Sequence, residues 1–398
     1  MKHTCVAHTC AWQDGHVSSE CPKLLGEEAF YSDVRRRVRG YFKSIGLDKV
    51  CPGPTRQCVA LFWLVFLAWA AGLLCLLLIT PTIPTAVLCG VLASFLGAFG
   101  HNWIHQPDYK HYAYLSLDLI GFSSDGWYRE HLLQHHMYTN TPLDNHFKGT
   151  DPFIVTDPTV ARNWFQSHLS PLLNPLFLTC GLWGNYTAHL VEILKGNEKF
   201  VLWKLFLPSL VYTFYRAHGG FGLILMYFYA GTMGIYYFTM ALMNHNSEKT
   251  LNVGLRNTAD DWGKAQIVSC ADWAVQVSVN KGGRCEQRMR SEPECARERA
   301  EDALHSPFIL RSHVHTPLQT PFLPSIIYLW LNYHCVHHLF PLVDFSHHRP
   351  VQKILMETCR DHGVVYEAGE FWDIYRQMVK GFATPSSLFK EINAYNGS

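Results

Sequence analysis

The segment HLLQHH, residues 131–136, places three histidines within six residues. Two similar groups flank it, HNWIH at residues 101–105 and HCVHH at residues 334–338. Imidazole is a common ligand of iron, zinc and copper. The three groups hold more imidazoles than one tetrahedral zinc site can use. We therefore interpret them as ligands of two metal ions, the candidates being His101, His105, His131, His135, His136, His334, His337 and His338.

The composition limits the class of protein. With 398 residues, of which 48% are hydrophobic, the chain can bury a large core. The net charge of +1 argues against nucleic acid as a partner, because binding a polyanion requires a basic excess. The 13 cysteines are odd in number and scattered, which predicts reduced thiols rather than a disulfide framework. No charged start followed by an apolar core opens the sequence, so we expect no cleavable signal peptide.

Four apolar segments predict membrane-spanning helices arranged as two hairpins. They are residues 58–80, 83–100, 200–216 and 219–243. The first segment is almost purely apolar and long enough to cross a hydrocarbon core of about 30 Å. The third contains Lys204 and Pro208 and is the weakest of the four.

The number of spans predicts where the histidines lie. Two spans precede the 131–136 group, and two more precede Asn244 and His245, which follow the last span. All the histidine groups then face one side, and the basic residues before the first span indicate the cytosol. The predicted fold is all-α: four transmembrane helices, interfacial helices at 169–177 and 181–194, and a cytosolic helical cap from 101–198 and 245–383.

The remaining segments are less regular. Residues 1–26 predict a flexible tail, with a small zinc site as an alternative, and the catalytic domain would extend over residues 27–383. Residues 27–47 carry an apolar stripe among arginines, which favours a helix lying on an anionic membrane surface. The charged stretch 281–303 indicates an exposed insertion, and 384–398 a C-terminal tail.

With His245, nine histidines are candidate ligands, enough for four or five nitrogens on each of two metals. Zinc has no redox chemistry, whereas iron can activate O₂ and attack a C–H bond of a lipid acyl chain held at the membrane. Four nearby carboxylates either orient ligands or face water: Asp125, Glu130, Asp144 and Asp151. We expect His313 and His315 to lie in a loop, and His347 and His348 at the surface.

The three histidine groups, in this order, resemble the membrane-bound fatty acid desaturase family. The resemblance extends over about residues 30–383 and includes HLLQHHMYTN (131–140), HCVHHLFP (334–341) and FTMALMNHN (238–246). The stretches FYSDVRRRVRGYF (30–42) and DWGKAQIVSCADW (261–273) are similar to its front-end branch. The resemblance implies an O₂-dependent diiron enzyme of the endoplasmic reticulum, its two irons held by the nine histidines. It also implies that Asn244 holds a water on one iron.

Two departures from the family limit this expectation. Many front-end members carry Gln where this chain has His334, so the position of the double bond cannot be inferred. No His-Pro-Gly-Gly motif of a fused cytochrome b5 domain occurs here, so we expect electrons from a separate cytochrome b5 and its reductase. A hydroxylase or other oxidase on the same scaffold, a zinc-dependent membrane hydrolase and an inactive membrane adaptor remain alternatives.

Overall fold

The computed structural model describes residues 29–47, 52–141, 143–144, 150–157, 160–247, 249–251, 261–275 and 323–383. The predictions for the N-terminal tail, for the 281–303 insertion, for His313 and His315, and for the C-terminal tail lie outside these residues. The chain divides into two compact units, one made of residues 1–275 and 324–398 and the other of residues 276–323. The architecture below is that of the first unit.

Helices make up nearly all the regular structure of the described residues. In chain order the α-helices are α1 (Ala29–Ser44), α2 (Arg56–Leu78), α3 (Ile83–Trp103), α4 (Lys110–Ile120), α5 (Ser124–Trp127), α6 (His136–Tyr138), α7 (Trp164–His168), α8 (Ser170–Leu178), α9 (Gly181–Leu194), α10 (Phe206–His218), α11 (Gly220–Met243), α12 (Trp262–Val268), α13 (His334–Leu339), α14 (His348–Asp361) and α15 (Phe371–Ala383).

Shorter elements join these helices. A π-helix occupies Tyr128–His135, and the 3₁₀-helices are Pro107–Tyr109, Leu202–Leu205, Leu323–Tyr328 and Phe345–His347. Two short strands, β1 (Asp272–Trp273) and β2 (Ala368–Gly369), pair in parallel. For the described residues, the all-α prediction therefore holds except for this two-residue ladder.

Among the residues that the structure describes, three helices are long and apolar enough to cross a membrane: α2, α3 and α11. Thr55 caps the start of α2, where its hydroxyl accepts from the Cys58 N–H at 3.2 Å. Thr82 caps α3, and Pro84 occupies the first turn, where its missing N–H costs nothing. These helices confirm three of the predicted apolar segments as helices of spanning length.

The segment predicted as the third span has a different structure. Residues Leu202–Leu205 form a 3₁₀-helix, and α10 has 13 residues, which reach about 20 Å at 1.5 Å per residue. Lys204 is buried and bonded to Glu198 and Ser123, so the start of the segment belongs to a polar cluster. At the other end of α10, the His218 ring bonds the Leu77 carbonyl near the end of α2.

Helices α3 and α11 approach each other closely. A Cβ at Gly90 would lie 2.4 Å from the Tyr229 carbonyl oxygen and 2.8 Å from the Thr232 side chain, so only glycine fits there. Trp69 of α2 donates to the Tyr229 hydroxyl at 3.3 Å. This packing brings the ends of α3 and α11, and so His101 and His245, to the same place.

Helix α1 packs within the protein, contrary to the expectation that its apolar stripe lies on the membrane. Phe30, Val34, Val38 and Phe42 are at most 1% exposed and share a core with residues of α13 and α14. The backbone N–H groups of Phe30 and Tyr31 donate to Asp261, which fixes the helix start. The apolar face is covered because the cap beside the third histidine group supplies an apolar partner.

The loop after α13 is bonded to the end of α3. Asp344 accepts from the Trp103 indole N–H at 2.8 Å, and Gln106 donates to the Leu342 carbonyl at 2.6 Å. These bonds hold the third histidine group against the first. Helices also form at the two predicted interfacial segments, as α8 and α9; their contact with a membrane remains a prediction.

Candidate metal centre

The candidate ligands lie on four separate parts of the chain that meet in one place. His101 is in the last turn of α3 and His105 follows it; His131 and His135 are in the π-helix, and His136 begins α6. His245 follows α11, and α13 carries the last three. A π-helix bonds residue i to i+5 and is frequent at functional sites. All nine candidate histidines are at most 8% exposed.

The first group consists of His105, His131, His136 and His337. Their ligand nitrogens lie within 4.8 Å of one another, and all four residues are buried. His131 Nε2 is 3.1 Å from His136 Nε2 and 3.4 Å from His337 Nε2. Two nitrogens bound to one ion at about 2.1 Å are no more than about 4.2 Å apart, so these spacings suit a metal site.

The second group consists of His135, His245, His334 and His338, whose ligand nitrogens also lie within 4.8 Å of one another. His245 Nε2 is 2.7 Å from His334 Nε2 and 3.1 Å from His135 Nε2. His338 Nε2 is 3.1 Å from His334 Nε2. The second group therefore takes His135 from the 131–136 segment and His245 from the turn after α11. It takes its other two members from the 334–338 segment.

His101 lies beside the first group rather than within it. Its Nε2 is 2.9 Å from His337 Nε2, and its ring centroid is 4.3 Å from that of His131. On its other side, Nδ1 is 3.3 Å from the Tyr237 hydroxyl of α11. The structure thus places His101 where a fifth nitrogen of the first group would be.

The hydrogen bonds of the second group determine which nitrogens carry protons. His245 Nδ1 is 3.1 Å from the Ser269 carbonyl oxygen, which can only accept, so the proton is on Nδ1. His135 Nδ1 is 2.8 Å from Asp144 Oδ2 in the same arrangement. In the tautomer with its proton on Nδ1, each ring directs the lone pair of Nε2 toward the other ring, and the two Nε2 atoms are 3.1 Å apart. Two Nε2 atoms at this spacing suit ligands of one metal ion.

Burial lowers the pKa of several of these imidazoles. Loss of solvation, with repulsion from His135, lowers the pKa of His105 to about 3. Burial and neighbouring imidazoles likewise hold the pKa values of His131, His136 and His337 well below the usual range. Neutral imidazole is the form that binds metals, and the buried Nε2 of His105 has no protein partner among the described residues. The residues present therefore fit a pair of metal ions.

The structure also gives positions for the carboxylates and for His348, which the sequence analysis considered beside the candidate ligands. Of the four carboxylates, Asp144 bonds a candidate ligand, whereas Asp151 is exposed and Asp125 half-buried. The predicted surface position of His348 is wrong: it is 1% exposed, and its ring bonds the Val343 carbonyl at 3.0 Å. It is covered because α14 packs against the α13 region.

Asn244 is fully buried next to His245 in the chain. Its Oδ1 accepts from the Trp273 indole N–H at 2.7 Å. Its Nδ2 has no hydrogen-bond partner among the described residues. Its role in holding a water on a metal remains a prediction.

Sequence reasoning missed the neutral residues that orient the histidines. Gln266 Oε1 lies 2.8 Å from His338 Nδ1 and accepts from the Thr139 hydroxyl at 3.0 Å. Asn140 bonds the His245 carbonyl. Their positions inside HLLQHHMYTN and DWGKAQIVSCADW were the available signal, because both stretches carry the family resemblance.

A second buried polar cluster, the Glu198 cluster, lies near the start of the π-helix. It consists of Ser123, Arg129, His189, Glu198 and Lys204. One carboxylate oxygen of Glu198 is bonded by Arg129 at 2.6 Å and His189 at 2.7 Å, the other by Ser123 and Lys204 at 2.8 Å each. A Cβ at Gly126 would lie 2.2 Å from the His189 ring, so glycine is required beside the cluster.

Apolar helices of spanning length, together with a buried polyhistidine centre that is compatible with a metal site, indicate a class of membrane metalloenzyme. The fatty acid desaturase family model matches residues 77–281 and 300–369, more than half of the chain. The chain therefore belongs to the fatty acid desaturase family, and it is an oxidoreductase of lipid metabolism.

Several curated relatives extend this comparison. The acyl-lipid (8-3)-desaturase B of Dictyostelium discoideum is 23% identical over 89% of this chain and 75% of its own length. The acyl-lipid (8-3)-desaturase of Mortierella alpina is 22% identical over 90% and 78%, respectively. The sn-1 linoleoyl-lipid 6-desaturase of Synechocystis sp. is 24% identical over 88% and 93%. No solved structure matches the chain significantly.

Proposed function

We propose that this protein is an O₂-dependent acyl-lipid desaturase with two irons, which introduces a double bond into a lipid acyl chain. In the overall reaction a –CH₂–CH₂– unit loses two hydrogens. O₂ is reduced to two waters with two electrons from a donor and two protons. The names of the relatives support an acyl chain carried on a lipid. The proposed electron donor is a separate cytochrome b5 with its reductase.

One observation carries this proposal. Eight buried imidazoles form two groups of four, and within each group the ligand nitrogens face one another. The first site would use His105, His131, His136 and His337, with His101 beside them. The second would use His135, His245, His334 and His338. Iron bound there supplies the O₂ chemistry that side chains cannot perform.

The protein's own residues orient the ligands and exclude water. Asp144, Ser269 and Gln266 hold three imidazoles by Nδ1 and so direct Nε2 of each ring toward the proposed metal position. On the side of the spanning helices, Trp127 stacks on His131 with ring centroids 5.2 Å apart, and Phe122 stacks on Trp127 at 5.6 Å. An apolar wall of this kind suits an acyl chain and keeps the oxidant from water.

We also propose four membrane crossings, with α10 as the short one, and histidines that face the cytosol of an endoplasmic reticulum membrane. The bond between His218 and the Leu77 carbonyl supports this topology, because it places the end of α10 at the end of α2 remote from His101. Helix α11 then returns the chain to His245. Cysteine labelling from either side of sealed microsomes tests the orientation.

Expression in yeast, followed by gas chromatography of fatty acid methyl esters, tests the activity. We expect a new unsaturated ester with the wild-type chain and none with the double variant His135→Ala, His337→Ala. The exposed His111 offers a matched control, and His111→Gln should retain the product. An oxygenated product without a new double bond would instead establish a hydroxylase.

Metal analysis of the purified protein tests the centre separately. We expect about two irons per chain. About two zincs and no iron would favour a membrane hydrolase, since zinc has no redox chemistry. Comparison of the phospholipid and acyl-coenzyme A fractions of the same yeast would show which carrier bears the new double bond.

A further inference from the structure

Asn140 lies beside the second histidine group, where the segment after α6, the turn after α11 and the end of α12 meet. It is fully buried, and its side-chain Nδ2 donates to the carbonyls of His245 at 3.2 Å, Ser269 at 3.1 Å and Thr250 at 3.4 Å. All three neighbours are acceptors, so the amide nitrogen rather than its oxygen must face them. One side chain therefore bonds the turn after α11 and the end of α12.

The backbone of Asn140 acts on the same group from the other side. Its N–H donates to Asp144 Oδ2 at 3.1 Å, the oxygen that also accepts from His135 Nδ1 at 2.8 Å. Ser269, whose carbonyl accepts from Asn140, also accepts from His245 Nδ1. Asn140 therefore contacts the acceptors that orient both His135 and His245.

The backbone conformation explains why asparagine occupies this position. Asn140 has φ of 58°, in the left-handed region that most residues avoid and that asparagine tolerates better than most. Aspartate could adopt the same backbone but has no amide donor. Glycine could adopt it but has no side chain.

From these contacts we infer that Asn140 is a positioning residue that sets the orientation of His135 and His245 for the second metal ion. This inference rests on the proposed function. It assigns the residue to one of the two metal sites. Within the described residues, Asn140 bonds Asp144, His245, Thr250 and Ser269, and none of these belongs to the first group.

The substitution Asn140→Asp tests this assignment. The new carboxylate would face three carbonyl oxygens and lie near Asp144. It has no N–H to donate to these carbonyls, so the contacts would become repulsive. We expect iron content to fall from about two per chain to about one. In protein loaded with ⁵⁷Fe, one of two Mössbauer signals should be lost. A purely structural role would not remove one iron selectively from a folded protein.

A milder variant and a matched control complete the experiment. Asn140→Gly keeps the left-handed backbone and the bond to Asp144 but loses the side-chain bonds. We expect it to weaken the second iron by about 10–100-fold in chelator competition, as is usual for residues that orient ligands. Asn174 of α8 is 1% exposed and donates to the Pro171 carbonyl at 2.7 Å. Asn174→Asp should keep both irons.

The outcomes separate this inference from the proposed function. Wild-type protein with fewer than two irons would overturn both. Two irons of wild-type affinity in Asn140→Gly and in Asn140→Asp would overturn the inference alone. Equal weakening of both irons in folded Asn140→Gly would overturn the assignment to the second group. If Asn140→Asp does not fold, the glycine variant decides.

Discussion

The protein buries two polar regions that differ in the groups they bring together. In the Glu198 cluster, both carboxylate oxygens accept two hydrogen bonds each, and the donors include the cationic side chains of Lys204 and Arg129. In the histidine centre, ring nitrogens lie close to one another, as Nε2 of His135 and Nε2 of His245 do at 3.1 Å. The first region pairs a carboxylate with its own donors, whereas the second collects the side-chain type that binds metals.

The comparison shows that burial of polar groups does not by itself indicate a ligand site. A buried carboxylate with about four filled lone-pair positions stabilises one arrangement of the chain. Eight buried imidazoles in two groups of four, with the ligand nitrogens of each group within 4.8 Å of one another, are compatible with a metal site. The Glu198 cluster therefore holds α9 and the 3₁₀-helix Leu202–Leu205 against the π-helix, whereas the histidine centre has the composition of a metal site.

The largest expected effect is the loss of a ligand from the centre. In the variant His245→Ala the second group loses the nitrogen nearest to His135 and His334. We expect desaturation to fall more than about 100-fold, beyond the usual cost of losing a residue that only orients a ligand. Product analysis and metal content measure this effect. Two irons and wild-type activity in this variant would contradict the ligand assignment.

A smaller effect is expected from the Glu198 cluster. Glu198→Ala leaves Lys204 buried without its carboxylate, which costs about 3–5 kcal/mol in free energy of unfolding for a broken buried pair. Thermal unfolding in detergent measures the loss, and iron content at low temperature should remain about two. Loss of iron from a still-folded Glu198→Ala protein would show that the two regions are not independent.

The sequence indicated which histidines would lie together, because histidine is a common metal ligand and here recurs at short spacings in three groups. These groups and His245 do lie together, whereas the four-span topology remains a proposal. The division into two groups could not be predicted, because His135 and His136 are adjacent in sequence yet belong to different groups. That division depends on the side-chain directions in the π-helix and at the start of α6.

Features that depend on long-range contacts were not predicted. The stripe of α1 indicated an apolar partner but could not distinguish a membrane from the α14 core. The segment 200–216 was apolar enough to suggest a full span, but Lys204 pairs with Glu198 and shortens the helix. Asn140 and Gln266 are neutral, so no charge pattern marked them, and their partners are more than 70 residues away.

A pH experiment distinguishes the two regions. In metal-free protein His105 has a pKa of about 3, against about 6.5 when unfolded, so acidification below pH 6.5 protonates the unfolded state first and lowers stability. Burial alone would raise the pKa of Glu198, but hydrogen bonds from His189 and Lys204 lower it to about 2. The stabilisation that the ionised Glu198 carboxylate contributes is fully present above about pH 4.5 and is lost as pH falls through about 2.

Between pH 6.5 and 5, therefore, the histidine centre should respond and the Glu198 carboxylate should not. We expect the pH dependence of thermal stability to be shallower in metal-free His105→Gln, by up to about 1.4 kcal/mol per pH unit. Glu198→Gln should keep the wild-type slope over this range. Iron should suppress the slope in wild-type protein, because bound imidazoles cannot take up protons. A slope reduced by Glu198→Gln would contradict the assignment of the effect to the histidines.

The smallest expected effect comes from a carboxylate six residues from Glu198 in the chain. Glu192 of α9 pairs with Lys195 at 2.8 Å, but the lysine is 59% exposed and water can replace either partner. Glu192→Gln makes the same chemical change as Glu198→Gln, yet its midpoint of thermal unfolding should match that of wild-type protein, because exposed ion pairs contribute little. Equal destabilisation by the two variants would mean that charge pairing, rather than burial, accounts for the Glu198 effect. If Glu198→Gln alone lowers the midpoint, the effect comes from the four hydrogen bonds that a buried carboxylate needs in the absence of water.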